Sequence, residues 1–98
     1  MTRTIADTRA RFRALHDSGC FLLPNPWDAG SAVRLEAMGY QALATSSAAT
    51  AWVLGKQDYE IQLDDALTNM RIIAGASSLP VNADFENGFA DTPEGVAA

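Results

Sequence analysis

Two carboxylates lie one residue apart in Asp84-Phe85-Glu86, directly after a short apolar segment. If the chain is extended there, the alternation of side chains places both acids on the same side. Two like charges that close raise each other's pKa unless a cation lies between them, and Mg²⁺ is a hard ion that binds one or two carboxylates and keeps several waters. Gly88 then allows a tight turn. The pair predicts a magnesium site, and two solvated loop acids are the alternative interpretation.

A second polar group, Ser46, Ser47 and Ala48, follows the apolar segment 42–45. Small residues let hydroxyl and backbone N–H groups approach a carboxylate closely, so these three residues are candidates for binding a substrate carboxylate. A serine-rich turn or a helix cap is the alternative. Asp58 lies in the next loop and, considered alone, is typical of a turn.

The elements that must position these residues alternate between helical and strand-like patterns. Helices are predicted over residues 5–17, 28–38, 48–54 and 63–74, and short buried strands over 20–23, 42–45 and 79–84. A helix followed by β-α-β-α-β with short connections is typical of parallel strands joined by helical crossovers. The order does not distinguish a barrel from a doubly wound sheet, but both folds place their sites at the carboxyl ends of the strands.

The composition limits the classes of function. The chain has 98 residues, 48% of them hydrophobic, and a net charge of −5, which is typical of one small globular domain and disfavours binding to nucleic acid or an anionic membrane. An anionic substrate stays compatible, because a bound divalent cation reverses the local field. The N-terminus has no apolar signal core and no segment is long enough to span a membrane, so a cytoplasmic location is predicted. The single cysteine, Cys20, opens the first predicted strand and is expected in the core.

The last residues predict the start of a further helix. Thr92 suits the N-cap, Pro93 the first helical position and Glu94 the first turn. Because the chain stops about one turn later, and because three strands would have open edges, we interpret residues 1–98 as a partial domain, truncated at its C-terminus.

Three segments resemble the isocitrate lyase / phosphoenolpyruvate mutase superfamily. Residues 25–32 (Asn-Pro-Trp-Asp-Ala-Gly-Ser-Ala) with 35–40 resemble its first strand-to-helix unit, and residues 42–48 resemble the segment that carries its Ser-Gly turn. Residues 81–90 resemble its Asp-x-Asp-x-Gly-(Tyr/Phe)-Gly metal motif. The match extends over nearly the whole chain from about residue 10. In this chain Glu86 replaces Asp, and Ser47 and Ala90 replace Gly.

The resemblance implies an α/β fold, namely the N-terminal portion (about three βα units) of a (β/α)₈ TIM-type barrel, and a site that uses Mg²⁺ or Mn²⁺. It implies that Asp84 and Glu86 bind the metal, that Ser46, Ser47 and Ala48 bind a substrate carboxylate, and that Asp58 lies near both.

The implied activity is that of a carbon–carbon lyase, similar to 2-methylisocitrate lyases, which cleaves a 2-hydroxy- or 2-oxo-carboxylate through an enolpyruvate-like intermediate. A phosphoenolpyruvate phosphonomutase or carboxyphosphonate mutase, and a non-catalytic barrel fragment, are the alternatives. The family's later metal-associated Glu and its catalytic Cys loop are absent from these 98 residues, so the catalytic residue stays unassigned and the chain alone is expected to be inactive. Relatives of this type are commonly homo-oligomers.

Overall fold

A computed structural model describes residues 4–98; the first three residues, part of the N-terminus predicted to carry no signal peptide, lie outside the described residues. The described chain is an α/β structure. Its helices are α1 (Ile5–Ala14), α2 (Ala29–Ala37), α3 (Ser47–Val53), α4 (Leu63–Ala76) and α5 (Pro93–Ala97), and its strands are β1 (Leu43–Ala44) and β2 (Val81–Asn82). No helix within residues 4–98 combines the length and the apolar character that crossing a bilayer requires.

The two strands pair in parallel, as the predicted crossover pattern requires. Leu43 lies opposite Val81 and Ala44 opposite Asn82, and α3 and α4 form the connection between them. A parallel pair cannot be joined by a tight turn, because the chain must return to the same end of the sheet before the second strand begins. The helices that the sequence predicts between the strands provide that return.

Side-chain caps explain where several helices begin. The Asp28 carboxylate accepts a hydrogen bond from the Ser31 N–H at 2.7 Å, and the Ser46 hydroxyl accepts one from the Ala49 N–H at 3.2 Å. Thr92 caps α5 through the Gly95 N–H at 3.1 Å, with Pro93 in the first turn as predicted. These bonds satisfy backbone donors that have no partner inside a helix. The predicted helices are confirmed, although α1 ends at Ala14 rather than at residue 17.

The prediction of a first buried strand at 20–23 is wrong. Cys20 is exposed and so is not a core residue, and Leu22 is 70% exposed. The segment after it lies beside β1, since the Pro24 carbonyl accepts from the Ala44 N–H at 3.0 Å and the Asn25 amide donates to the Ala44 carbonyl at 2.9 Å. In a parallel ladder residue 26 would donate to the Ala44 carbonyl, but Pro26 has no N–H, so the main-chain ladder does not continue there. The described chain therefore has two paired strands instead of three.

The core consists of two clusters that share α4. The first lies beneath the strands and joins α2, β1 and α4; its buried members are Ala32, Leu43, Ile73 and Leu79. The second joins α3 to α4 through Ala51, Ile61 and Ala66, and Met70, Phe85 and Phe89 pack against it. Because Phe85 and Phe89 belong to the loop after β2, the second cluster attaches that acidic loop to the helices.

Candidate active site

The carboxyl ends of β1 and β2 lie side by side, and the predicted site residues emerge there. The Thr45 N–H donates to the Asn82 carbonyl at 2.9 Å, which extends the contact between the strands one residue beyond β1. Residues 45–48 and the loop 83–89 thus leave the sheet next to each other, at the edge where parallel α/β folds carry their sites.

Asp84 is fixed by the turn that follows β1. Its Oδ2 accepts hydrogen bonds from the Ser47 N–H at 3.2 Å and from the Ser47 hydroxyl at 3.0 Å. Its Oδ1 accepts from the Glu86 N–H at 3.2 Å, and its own N–H donates to the Thr45 hydroxyl at 2.9 Å. The structure therefore brings together two predicted site residues, Ser47 and Asp84, that lie 37 positions apart in the sequence.

These hydrogen bonds keep Asp84 ionised. The Ser47 N–H is the main reason that the pKa of Asp84 lies below its ordinary value of 3.8, and the Glu86 N–H and the Ser47 hydroxyl lower this pKa further. Partial burial acts in the opposite direction, because it penalises the charged form. A carboxylate that is ionised at neutral pH is in the state that a metal ligand requires.

Glu86 does not lie on an extended strand, so the alternation argument for placing it beside Asp84 is wrong. Its backbone is left-handed, with φ of +50°. The Gly88 N–H donates to the Phe85 carbonyl at 2.8 Å and closes a turn around it, which confirms the turn predicted at Gly88. The Glu86 Oε2 is buried and has no hydrogen-bond partner among the described residues. A buried carboxylate oxygen without a donor is energetically costly unless another group satisfies it.

The oxygen donors at this edge fit Mg²⁺. An ionised Asp84 and an unsatisfied Glu86 oxygen are hard, anionic ligands of the kind this ion binds. Within residues 4–98 no group of three or more His, Cys, Asp or Glu side chains could hold a metal ion. An ion held here would therefore have at most two such side chains as ligands and would need water or substrate oxygens for the rest of its shell.

The other predicted substrate-binding residues have different surroundings. The Ser46 hydroxyl caps α3, which confirms the helix-cap alternative for that residue, and Ala48 is half-buried in the first turn of α3. Ser47 is the first residue of α3, and its φ is not left-handed, so a serine fits without strain where the family has Gly. Asp58 is exposed, and no hydrogen bond within residues 4–98 connects it to Asp84.

Two contacts at or near the site were not predicted from the sequence. The first is the hydrogen bond from the Asp84 N–H to the Thr45 hydroxyl, since Thr45 was predicted only as part of a strand. The partner of Lys56 is Asp65, at 3.2 Å, nine positions further along the chain at the start of α4. Helical spacing could have suggested neither contact, because both connect different elements.

Two cavities lie away from Asp84. A groove of about 1030 Å³ separates α1 from the segment before β2, and a smaller one of about 230 Å³ is bordered by Trp27 and α4. None of the six predicted site residues lines either cavity. The rings of Trp27 and Trp52 pack at 5.7 Å, yet both side chains stay about half exposed. Asp84 is thus exposed and lies outside both cavities.

The fold and the site define an α/β protein with an acidic, carboxylate-holding site at the ends of parallel strands. The sequence profile of the phosphoenolpyruvate phosphomutase family matches residues 12–98. The chain belongs to the phosphoenolpyruvate mutase / isocitrate lyase superfamily, which contains lyases and mutases.

Solved structures of similar proteins agree with this membership. A Burkholderia cenocepacia J2315 protein provisionally described as a lyase/mutase is 47% identical with a TM-score of 0.91, over 94% of this chain and 34% of its own. A second protein of that organism, provisionally described as a phosphonomutase, is 39% identical with a TM-score of 0.85, over 93% and 37% of the two chains. A 2,3-dimethylmalate lyase is 32% identical with a TM-score of 0.73, over 85% and 31%.

Sequence relatives cover the same part of the chain. Uncharacterised proteins from two strains of Mycobacterium tuberculosis are each 34% identical over 89 residues, which is 88% of this chain and 34% of theirs. The chain therefore spans about a third of the length of the relatives it matches.

Proposed function

We propose that this chain forms part of a Mg²⁺-dependent carbon–carbon lyase that acts on a 2-hydroxy- or 2-oxo-carboxylate. The observation that carries the proposal is the Asp84 carboxylate, held by Ser47 where two parallel strands end, with an unsatisfied buried oxygen of Glu86 in the same loop. Membership of a superfamily of lyases and mutases supports it.

The fold proposed for the whole protein is a (β/α)₈ barrel of which this chain is the N-terminal portion. The parallel pairing of β1 and β2 through a helical crossover supports this, since that unit repeats around such a barrel. The coverage of about a third of each solved relative also agrees with it.

Asp84 and Glu86 would hold the metal. Bound Mg²⁺ would supply Lewis-acid polarisation of the oxygens of a 2-oxo acid. Asp84 already directs Oδ2 toward Ser47, and its Oδ1 accepts a single hydrogen bond from within its own loop. The turn after β1 therefore orients the carboxylate before any ligand arrives, and orientation of this kind reduces the entropy lost on binding.

Ser46, Ser47 and Ala48 would bind a carboxylate of the substrate. Both Ser47 donors, its N–H and its hydroxyl, bind the Asp84 carboxylate in this structure, so Ser47 would have to release Asp84 to bind the substrate, whereas Ser46 and Ala48 would bind it directly. Ser46 accepts a hydrogen bond from Ala49 and so keeps its own proton for donation. The Ala48 N–H lies in the first turn of α3, where backbone donors lack helical partners. Asp58 would approach the substrate from its exposed loop.

In the proposed reaction the bond between C2 and C3 of a 2-hydroxy acid breaks. Its electron pair leaves with C3, the C2 hydroxyl loses its proton and becomes a keto group, and C3 then takes up a proton. The similarity to a 2,3-dimethylmalate lyase supports this chemistry.

A phosphonomutase is the second candidate. The similarity to a protein provisionally described as a phosphonomutase, at 39% identity, favours it, as does the family profile itself. Such an enzyme would use the same two acids and the same carboxylate-binding turn, because its substrate, like the pyruvate portion of the lyase substrate, is a three-carbon acid with an oxygen at C2.

The test supplies the complete purified enzyme, of which this chain is proposed to be a part, with Mg²⁺ and either 2,3-dimethylmalate or phosphoenolpyruvate. Pyruvate released from the first substrate supports the lyase, and phosphonopyruvate seen by ³¹P NMR supports the mutase. A metal chelator and the substitution Asp84→Ala should each abolish turnover. Full activity of Asp84→Ala would contradict the site assignment. Saturable Mg²⁺ binding with turnover of neither substrate class would favour the non-catalytic alternative.

A further inference from the structure

We infer that Thr45 is a positioning residue of this site, which fixes the backbone of Asp84 so that its carboxylate meets Ser47. The inference rests on the proposed function, because it gives Asp84 the role of a metal ligand. It adds a residue with no ionisable group and no assigned role.

Thr45 makes two hydrogen bonds to the chain that leaves β2. Its N–H donates to the Asn82 carbonyl and its hydroxyl accepts from the Asp84 N–H, both at 2.9 Å. The side chain of Thr45 thus takes the place that a main-chain carbonyl has in a parallel ladder, and the two bonds enclose Ala83. This extends a fixed register to Asp84, two residues after β2 ends.

The bond between Thr45 and Asp84 is buried on the Thr45 side. Thr45 is 5% exposed and Ser47 8% exposed, so water has little access to replace either residue. Loss of the Thr45 hydroxyl would leave the partly buried Asp84 N–H without this acceptor, and an unpaired donor that water reaches poorly is costly. Because Thr is β-branched, its χ1 angle is restricted and its hydroxyl is held in one direction. Thr45 thereby supports Asp84 from the backbone side, and Ser47 supports it at the carboxylate.

The first experiment measures the Kd for Mg²⁺ by titration calorimetry in the wild-type protein and three variants. Thr45→Val keeps the shape and removes the acceptor, whereas Thr45→Ser keeps the hydroxyl. Thr50→Val is the matched control: Thr50 is 7% exposed and its hydroxyl donates to the Ser46 carbonyl at 2.9 Å, with no bond to Asp84.

Thr45→Val should weaken Mg²⁺ binding about tenfold, the low end of what loss of a residue behind a metal ligand costs. Thr45→Ser should restore binding to within about threefold, and Thr50→Val should stay within about twofold of the wild type. An unchanged Kd in Thr45→Val, or an equal loss in Thr50→Val, would overturn the inference.

The second experiment needs no metal. Amide hydrogen exchange of Asp84, followed by NMR in metal-free buffer, should be about tenfold faster in Thr45→Val than in the wild type and unchanged in Thr50→Val. If Asp84→Asn binds Mg²⁺ like the wild type, the proposed metal site fails while the exchange result still decides the role of Thr45. Equal exchange in the wild type and Thr45→Val overturns the inference whatever the metal does.

Discussion

The two segments that leave the paired strands are built in opposite ways. In the turn after β1 (residues 45–47), Thr45 and Ser47 are buried. The hydroxyl of the residue between them, Ser46, caps α3. The loop after β2 (residues 84–89) contains two non-glycine residues with left-handed backbones, Glu86 at +50° and Phe89 at +58°.

The difference indicates which segment supports the site and which one carries it. A left-handed non-glycine residue costs free energy and persists only where its surroundings hold it. Here Phe85 and Phe89 pack against the cluster of Ala51, Ile61 and Ala66, with the two phenylalanine rings 5.2 Å apart. The turn after β1 needs no such support. Of these two segments, only the loop whose acids are proposed to bind the metal contains strained non-glycine residues.

The largest effect should come from replacing the glycine that closes the strained loop. Gly88 has φ of +88°, and an added Cβ would lie 2.5 Å from the Val96 Cγ2. Gly88→Ala should lower the free energy of unfolding by about 3 kcal/mol, from the left-handed backbone and the overlap together. Urea unfolding measures the change. The dependence of the unfolding free energy on urea concentration is compared between the variant and the wild type.

Gly55→Ala is the control for that prediction. Gly55 follows α3, on the unstrained side of the comparison, and has φ of +73° with nothing within 4 Å of an added Cβ. Gly55→Ala should lower the free energy of unfolding only by the cost of the left-handed backbone, about 1–2 kcal/mol. The double variant Gly88→Ala/Val96→Ala should be more stable than Gly88→Ala, by the difference in free-energy loss between Gly88→Ala and Gly55→Ala. Equal losses at both glycines would show that α5 yields to the new methyl group and does not restrain the loop.

The next largest effect should come from the cap of the unstrained turn. Ser46→Ala removes the acceptor for the Ala49 N–H and should lower the free energy of unfolding by about 1 kcal/mol. Ser46→Asn supplies another capping oxygen and should lose much less. Thermal unfolding of both variants measures the difference. If they lose equally, the hydroxyl does not cap α3, and the order of this turn has another origin.

The contrast between the two segments also explains what the sequence could predict. Thr92 caps a helix as predicted and Ser46 does so as in the alternative interpretation, because a cap depends on residues three positions away. Parallel strands with helical crossovers were predictable for the same reason: apolar periodicity is a local property. The resemblance to a known family implied that Asp84 and the turn after β1 belong to one site, which no local pattern contains.

Two predictions failed for different reasons. The run at 20–23 has the composition of a buried strand, yet Leu22 is exposed, and the bonds to Ala44 of β1 come from Pro24 and Asn25, after the run. The left-handed backbone of Glu86 overrides strand alternation, because the turn closed at Gly88 decides the path of the loop. Composition cannot reveal either, since the first depends on which segment bonds to β1 and the second on where a turn closes.

A smaller effect, with opposite signs for stability and binding, is expected at Glu86. Asn adopts the left-handed region more readily than Glu, and Glu86→Asn also removes the unsatisfied buried oxygen. The metal-free protein should gain about 0.5 kcal/mol, part of the roughly 1–3 kcal/mol that such a backbone costs. Mg²⁺ affinity should fall, because a carboxylate is lost.

Tyr59→Asn is the matched control, since Tyr59 also has a left-handed backbone, at +71°, and lies exposed away from the acids. Although Asp58 and Glu60 flank it, Tyr59 lies outside the loop of Asp84 and Glu86, so Tyr59→Asn should gain similar stability and leave Mg²⁺ affinity unchanged. Thermal unfolding and calorimetry of the two variants test the claim. A metal-free Glu86→Asn protein that is less stable than the wild type would show that Glu86 supports the loop structurally.

The smallest expected effect is a loss of stability at low pH. It concerns the helices beside the unstrained turn. The Gln62 N–H, followed by the Lys56 ammonium, holds the pKa of Asp65 below its ordinary value of 3.8. A lowered folded-state pKa means that these bonds contribute stability above about pH 4 and lose it as the pH falls through the folded value. The thermal midpoint should thus be flat near neutrality and decrease below about pH 4. Asp65→Asn should show a shallower decrease, whereas Asp64→Asn, which removes an exposed neighbouring acid, should follow the wild type. Identical acid profiles for Asp65→Asn and the wild type would mean that the Lys56–Asp65 pair does not stabilise this side of the molecule.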